Sequence, residues 1–143
     1  MLEYEGGAKG LYWASQIAIG YDNGLRVRIF GSKGTIQWSQ ENPNHFDVFT
    51  LDKPKEHWSR GRDRFYPHAQ SYSRVPAGHP EGYFEAFANL YKAFMGALIK
   101  IKAGKKPGKA DMDFPGVDRG IEGVKFITKC VESSHKGSVW VRY

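Results

Sequence analysis

Between residues 11 and 51 one β-type run follows another with no helical pattern among them, and this succession constrains the fold more than any other feature of the chain. β-Branched and aromatic residues recur there between turns that carry glycine or asparagine. Strands joined by connections this short cannot cross over to lie parallel, so they must pair antiparallel. The pattern predicts strands over Leu11 to Ile19, Leu25 to Phe30, Thr35 to Ser39 and His45 to Leu51. Tyr21-Asp22-Asn23-Gly24 and Gly31-Ser32-Lys33-Gly34 supply the tight turns, and Gln40 to Asn44 a polar loop. Alternation sets Leu25, Val27 and Ile29 against Arg26, Arg28 and Phe30. One face of the sheet should therefore be covered by helices, while the other is amphipathic and suits a partner.

From Lys53 to Pro76 the chain is irregular, longer than an ordinary connection, with Trp58 marking a short strand. Gly78-His79-Pro80-Glu81 then opens the longest helical pattern, in which Tyr83, Phe87, Leu90, Tyr91, Phe94, Leu98 and Ile101 recur at spacings of three and four until Gly104 and Pro107. A second helix is expected from about Phe114-Pro115, capped by Asp113, through Val117, Ile121, Val124, Ile127 and Val131 to Ser133–Gly137; Val139-Trp140-Val141 reads as a closing strand. Strands first and helices after them define an α+β fold: a largely antiparallel open sheet with helices packed on one face. At 143 residues, with 41% apolar and 15% aromatic content, residues 1–143 are expected to form a single domain with a real core.

The single cysteine, Cys130, falls in the last helical pattern, which predicts a buried structural thiol and a reducing, cytoplasmic setting. No run approaches the ~20 apolar residues that cross a bilayer, and the N-terminus lacks the basic-then-apolar order of a secretory signal. The net charge of +6 invites nucleic acid as a partner, but its distribution argues against one. Lys100, Lys102, Lys105, Lys106 and Lys109 follow the end of a helix, where cations meet the negative end of its dipole; Arg60, Arg62 and Arg64 sit in a polar loop that is either solvated or set against a neighbouring subunit. The five histidines, at 45, 57, 68, 79 and 135, lack the spacing of a metal site. Neither G-x-G-x-x-G after a strand nor a Walker-type glycine loop occurs, so no cofactor-binding residue is assigned and the chain is not expected to hold a nucleotide alone.

Ala14-Ser15-Gln16, then Gly31-Ser32-Lys33-Gly34-Thr35-Ile36-Gln37-Trp38, then the run from Gly78-His79-Pro80-Glu81-Gly82-Tyr83 to Tyr91, and finally Asp113-Phe114-Pro115 and Ser138-Val139-Trp140 resemble, in that order, the C-terminal domain of the Gfo/Idh/MocA oxidoreductases. The resemblance covers nearly the whole chain. It implies a parent protein in which a Rossmann domain binds NAD or NADP and this domain closes over a small carbohydrate-like substrate, with homo-oligomers formed through the open sheet face. The family's catalytic lysine, in a Glu-Lys-Pro motif, and its Asp and His on a helix have no matching positions here. The resemblance thus implies an oxidoreductase acting on CH–OH groups as the parent, and a fragment that is inactive without its Rossmann half. The alternative is a non-catalytic self-assembly or scaffold domain.

Four residues are candidates for substrate contact. His79 precedes a helix start, where it either hydrogen-bonds a sugar hydroxyl or merely satisfies the loop and caps the helix. Glu81 reads as a first-turn carboxylate favoured by the helix dipole. Tyr83 fits the apolar stripe, and Asn89 is a polar side chain near buried positions that needs a partner. Trp13 serves as core, interface or a stacking platform for a sugar; it and Gln16 lie on opposite faces of their strand.

Overall fold

The computed structural model describes residues 1–62 and 65–143, so Arg64 of the expected arginine cluster lies outside the described residues. The chain divides into two compact units, Met1–Pro80 and Glu81–Tyr143. A short antiparallel ribbon opens the first unit, β1 (Leu2–Glu3) against β2 (Lys9–Gly10). The meander follows as β3 (Arg26–Gly31), β4 (Gly34–Ser39), β5 (His45–Phe49) and β6 (Glu56–Ser59), a four-stranded antiparallel sheet in sequence order. Three of the four expected strands and the one marked by Trp58 are thus present. The α+β reading with an open antiparallel sheet holds.

Register explains why these strands persist. Val27, Trp38, Phe46 and Trp58 stand opposite one another across the four strands, with Ile29, Ile36 and Val48 in the neighbouring row of the same face. Phe46, Trp58 and Phe65 close this face with ring centroids 5.6–5.9 Å apart. The opposite face carries the row Arg28, Gln37, Asp47 and His57. The turn between β3 and β4 depends on Gly34, because a Cβ there would sit 2.5 Å from the Phe49 carbonyl oxygen.

Leu11 to Ile19 does not form the expected first strand. Its backbone turns on itself instead: Ile17 N–H donates to Ser15 Oγ at 3.2 Å, Ile19 N–H to the Ile17 carbonyl at 3.1 Å, and Tyr21 N–H to the Ala18 carbonyl at 3.2 Å. Such local bonds compete with a ladder. Nor does Tyr21–Gly24 close a hairpin, since Gly24 N–H donates to Glu41 at 2.6 Å and ties the corner to the β4–β5 loop.

The second unit holds α2 (Tyr83–Lys102) and α3 (Val117–His135), joined through a short 3-10 turn at Lys109–Asp111; a four-residue helix, α1 (Pro67–Gln70), lies in the first unit. Both long helices begin later than their patterns suggest. Proline keeps the residue before it extended, which excludes His79 and Phe114 from helix. Gly82 is the N-cap of α2, and Glu85 reaches back to accept its N–H at 2.8 Å. Glu85, not Glu81, is therefore the first-turn acid. Gly116, not Asp113, caps α3.

The closing strand is also absent. After Ser138, at φ 63°, the chain folds back on α3: Ser133 Oγ donates to the Val139 carbonyl at 2.6 Å, and Tyr143 donates to the Glu122 carbonyl at 3.0 Å and to its carboxylate. Lys125 lies 4.2 Å from the Tyr143 ring centroid. Cys130 is exposed on α3 rather than buried. The expected core is thin: Ala97, 3% exposed, is the buried apolar residue among those described, and the apolar stripes of α2 and α3 remain accessible.

Candidate functional site

In the first unit the loop that carries His79 is held by several hydrogen bonds. Pro76–His79 forms a turn in which His79 N–H donates to the Pro76 carbonyl at 3.2 Å and Nδ1 lies 3.3 Å from the same oxygen. A carbonyl only accepts, so Nδ1 carries the proton and Nε2 of the neutral ring is left with its lone pair. Among the described residues Nε2 has no hydrogen bond, and the side chain is exposed. An imidazole held in this tautomer can accept a hydroxyl proton. The capping role for His79 falls away, because α2 starts four residues later under its own cap.

Arg60 holds this loop from the end of β6. Its Nε donates to Asn44 Oδ1 at 2.6 Å, one terminal nitrogen to the Val75 carbonyl at 3.0 Å, and the other to the His79 carbonyl. Its own backbone N–H bonds the Asn44 carbonyl at 2.9 Å. Gly61, at φ 71°, lets the two backbones close up, since a Cβ there would meet Ala77 N at 3.1 Å. These bonds of Arg60 lie inside its own unit, so the side chain is not merely solvated; Arg62 is the exposed member of the pair. No spacing rule marks such a residue, and only its place beside a future turn could have drawn attention to it.

Along β6 lies an open cavity of about 640 Å³ lined by Glu56, His57, Trp58, Ser59 and Arg62. None of the four candidate contacts lines it. Beside it, His57 Nδ1 pairs with Asp47 at 2.7 Å, Lys55 approaches the same carboxylate at 3.4 Å, and His45 stacks on His57 with centroids 4.7 Å apart. The His57 hydrogen bond, seconded by Lys55, holds the Asp47 carboxyl below its ordinary value. On α3, Lys129 and Lys136 together draw Glu132 down to about 2. Among the described residues no group of three His, Cys, Asp or Glu side chains gathers as a metal site, and no helix is long and apolar enough to cross a membrane.

The other candidates belong to different elements. Trp13 is 70% exposed in the irregular segment before β3. Tyr83 opens α2 at 67% exposure, its ring 4.9 Å from that of Phe87. Asn89 is half-buried on the same helix, six positions on and therefore roughly 120° around the axis, so the two do not share a line of projection.

Comparison with known proteins decides the family. The model of the oxidoreductase family C-terminal alpha/beta domain, Gfo/Idh/MocA type, matches residues 1–142. The chain belongs to the Gfo/Idh/MocA oxidoreductases, as their C-terminal domain. An uncharacterised oxidoreductase of Bacillus subtilis, YfiI, is 35% identical over the whole chain, which spans 36% of that protein. An inositol dehydrogenase homologue from Azotobacter vinelandii, solved with NADH and myo-inositol, superposes with a TM-score of 0.91 over 99% of the chain and 37% of its own length, at 38% identity. A Sinorhizobium meliloti oxidoreductase gives 0.81 over 90% of the chain and 35% of its length, at 36% identity. The Gfo/Idh/MocA domain described here thus spans little more than a third of these relatives' lengths.

The described residues form no strand–glycine turn–helix unit of the kind that seats a pyrophosphate, because α2 and α3 each follow a loop rather than a strand.

Proposed function

We propose that this domain is the substrate side of an NAD(P)-dependent oxidoreductase that transfers hydride between a CH–OH carbon of a polyhydroxylated, polyol- or sugar-like substrate and the nicotinamide. The observation that carries the reading is the close superposition on a relative solved with NADH and myo-inositol. NAD(P), bound by the Rossmann portion of the longer protein, supplies the hydride chemistry. The domain described here binds and orients hydroxyl groups, with His79 Nε2 accepting one of them and Trp13, Tyr83 and Asn89 as further contacts. By itself the domain is inactive and residues 1–143 act as a unit of the longer enzyme, in a cytoplasmic setting that keeps the exposed Cys130 thiol reduced.

The test is kinetic. In the full-length enzyme, His79→Ala is expected to raise KM for myo-inositol or a related polyol by about tenfold. Unchanged kinetics would remove His79 from the substrate site.

A second proposal concerns assembly. Phe30 on β3 and Leu11, Trp13, Ile17 and Ile19 before it are all exposed, more apolar surface than stable monomers usually present. We take a second copy of the sheet to cover it in a two-fold contact. Sedimentation equilibrium at micromolar concentration should give a mass well above 16.2 kDa, and Ala14→Glu should lower it.

A further inference from the structure

We infer that Arg60 is a positioning residue for the substrate site, a clamp that presets the His79 imidazole before any substrate arrives. The inference rests on the reading of His79 as a substrate contact and adds the group that makes the contact effective.

A loop histidine on an exposed turn ordinarily samples several backbone states, and each reduces the fraction of molecules able to bind. Here that freedom is removed at three points. The His79 carbonyl is taken by Arg60, its N–H by Pro76, and the start of the turn by the Arg60 bond to Val75. The guanidinium suits this because its donors lie in one rigid plane, so it can hold Asn44, Val75 and His79 at fixed mutual positions. Asn44 anchors the arginine in turn, through its side chain and its backbone, at the foot of β5. The clamp therefore runs from the sheet to the turn without touching the ring of His79. Lysine has one charged nitrogen on a flexible stem and cannot reproduce that bridge.

The consequence is a binding effect transmitted through one residue. In the full-length oxidoreductase, assayed by NADH formation with myo-inositol and D-glucose as probes, Arg60→Met is expected to raise KM roughly fivefold or more while kcat changes by less than about twofold. Arg60→Lys should be intermediate. In a His79→Ala background Arg60→Met should add almost nothing, because the clamp then has no imidazole to position. Equal losses in both backgrounds would show that Arg60 only supports the fold and would overturn the inference. If His79→Ala raises KM but Arg60→Met leaves it unchanged, the clamp is wrong and the site stands. If His79→Ala has no effect, or neither probe is turned over, the functional reading fails and the clamp falls with it. Should Arg60→Met not fold, the same cycle is run with Arg60→Lys, and amide exchange at His79 must quicken relative to the β4 amides for the inference to survive.

Discussion

Two stretches of similar β-type composition met different fates. β3 to β6 formed a ladder in which every strand finds a partner, whereas Leu11 to Ile19, which also carries aromatic and branched residues, remained irregular. In the meander the strands are in register, so that Val27, Trp38, Phe46 and Trp58 meet in a row. The earlier stretch also keeps Leu11, Trp13, Ile17 and Ile19 on one side of its alternation, but Ser15 sits among them and offers its backbone a local alternative. A strand is thus a property of a pair, and composition alone does not confer it.

The strongest way to break the comparison is proline. Gln37 lies in β4, paired on both sides, so Gln37→Pro should cost about 3 kcal/mol or more and unfold the sheet. Gln16→Pro removes no ladder bond and should cost under about 1 kcal/mol. Urea unfolding followed by circular dichroism separates the two, and equal losses would mean that Leu11 to Ile19 is paired in solution.

Truncation gives the next largest contrast. Phe46→Ala opens the Phe46–Trp58–Phe65 cluster and should cost about 2–3 kcal/mol, somewhat less than a fully buried ring because this one is half-buried. Trp13→Ala should stay within about 0.5 kcal/mol in the monomer. A large loss for Trp13 that grows with protein concentration would instead mark it as an interface residue, sharpening the assembly proposal.

The smallest effect is electrostatic. Asp47 has a folded-state value below its ordinary 3.8, so its contribution is complete above that pH and is lost as pH falls through the depressed value. Exchange protection at the β5–β6 amides should therefore weaken in acid below about pH 4 in the native protein. In Asp47→Asn that step should be missing. Leu11 to Ile19 contains no carboxylate and should show no change over the same range.

The helices show the same division between pattern and context. Spacing placed Phe87, Leu90, Phe94 and Leu98 on one face of α2 correctly, because helix geometry depends only on the chain itself. It placed the start too early, since Pro80 and Glu81 look like a first turn until Glu85 is seen to cap Gly82. Cys130 was read as buried from its place in an apolar pattern, but exposure on α3 depends on what packs against the helix, which no local pattern encodes.

Sequence by itself determined that the main strands precede the two long helices, the antiparallel β3–β4–β5 pairing and the family, since short turns, side-chain alternation and the run from Gly78 to Tyr91 are local in the chain. The tertiary structure alone decided that Leu11 to Ile19 goes unpaired, that Cys130 is exposed, and that Arg60 grips the His79 turn from 19 residues away. The physical reason is the same in each case. Hydrogen-bond partners distant in sequence are assigned by the competition among all groups that reach one another on folding, and that competition leaves no periodic trace in the chain.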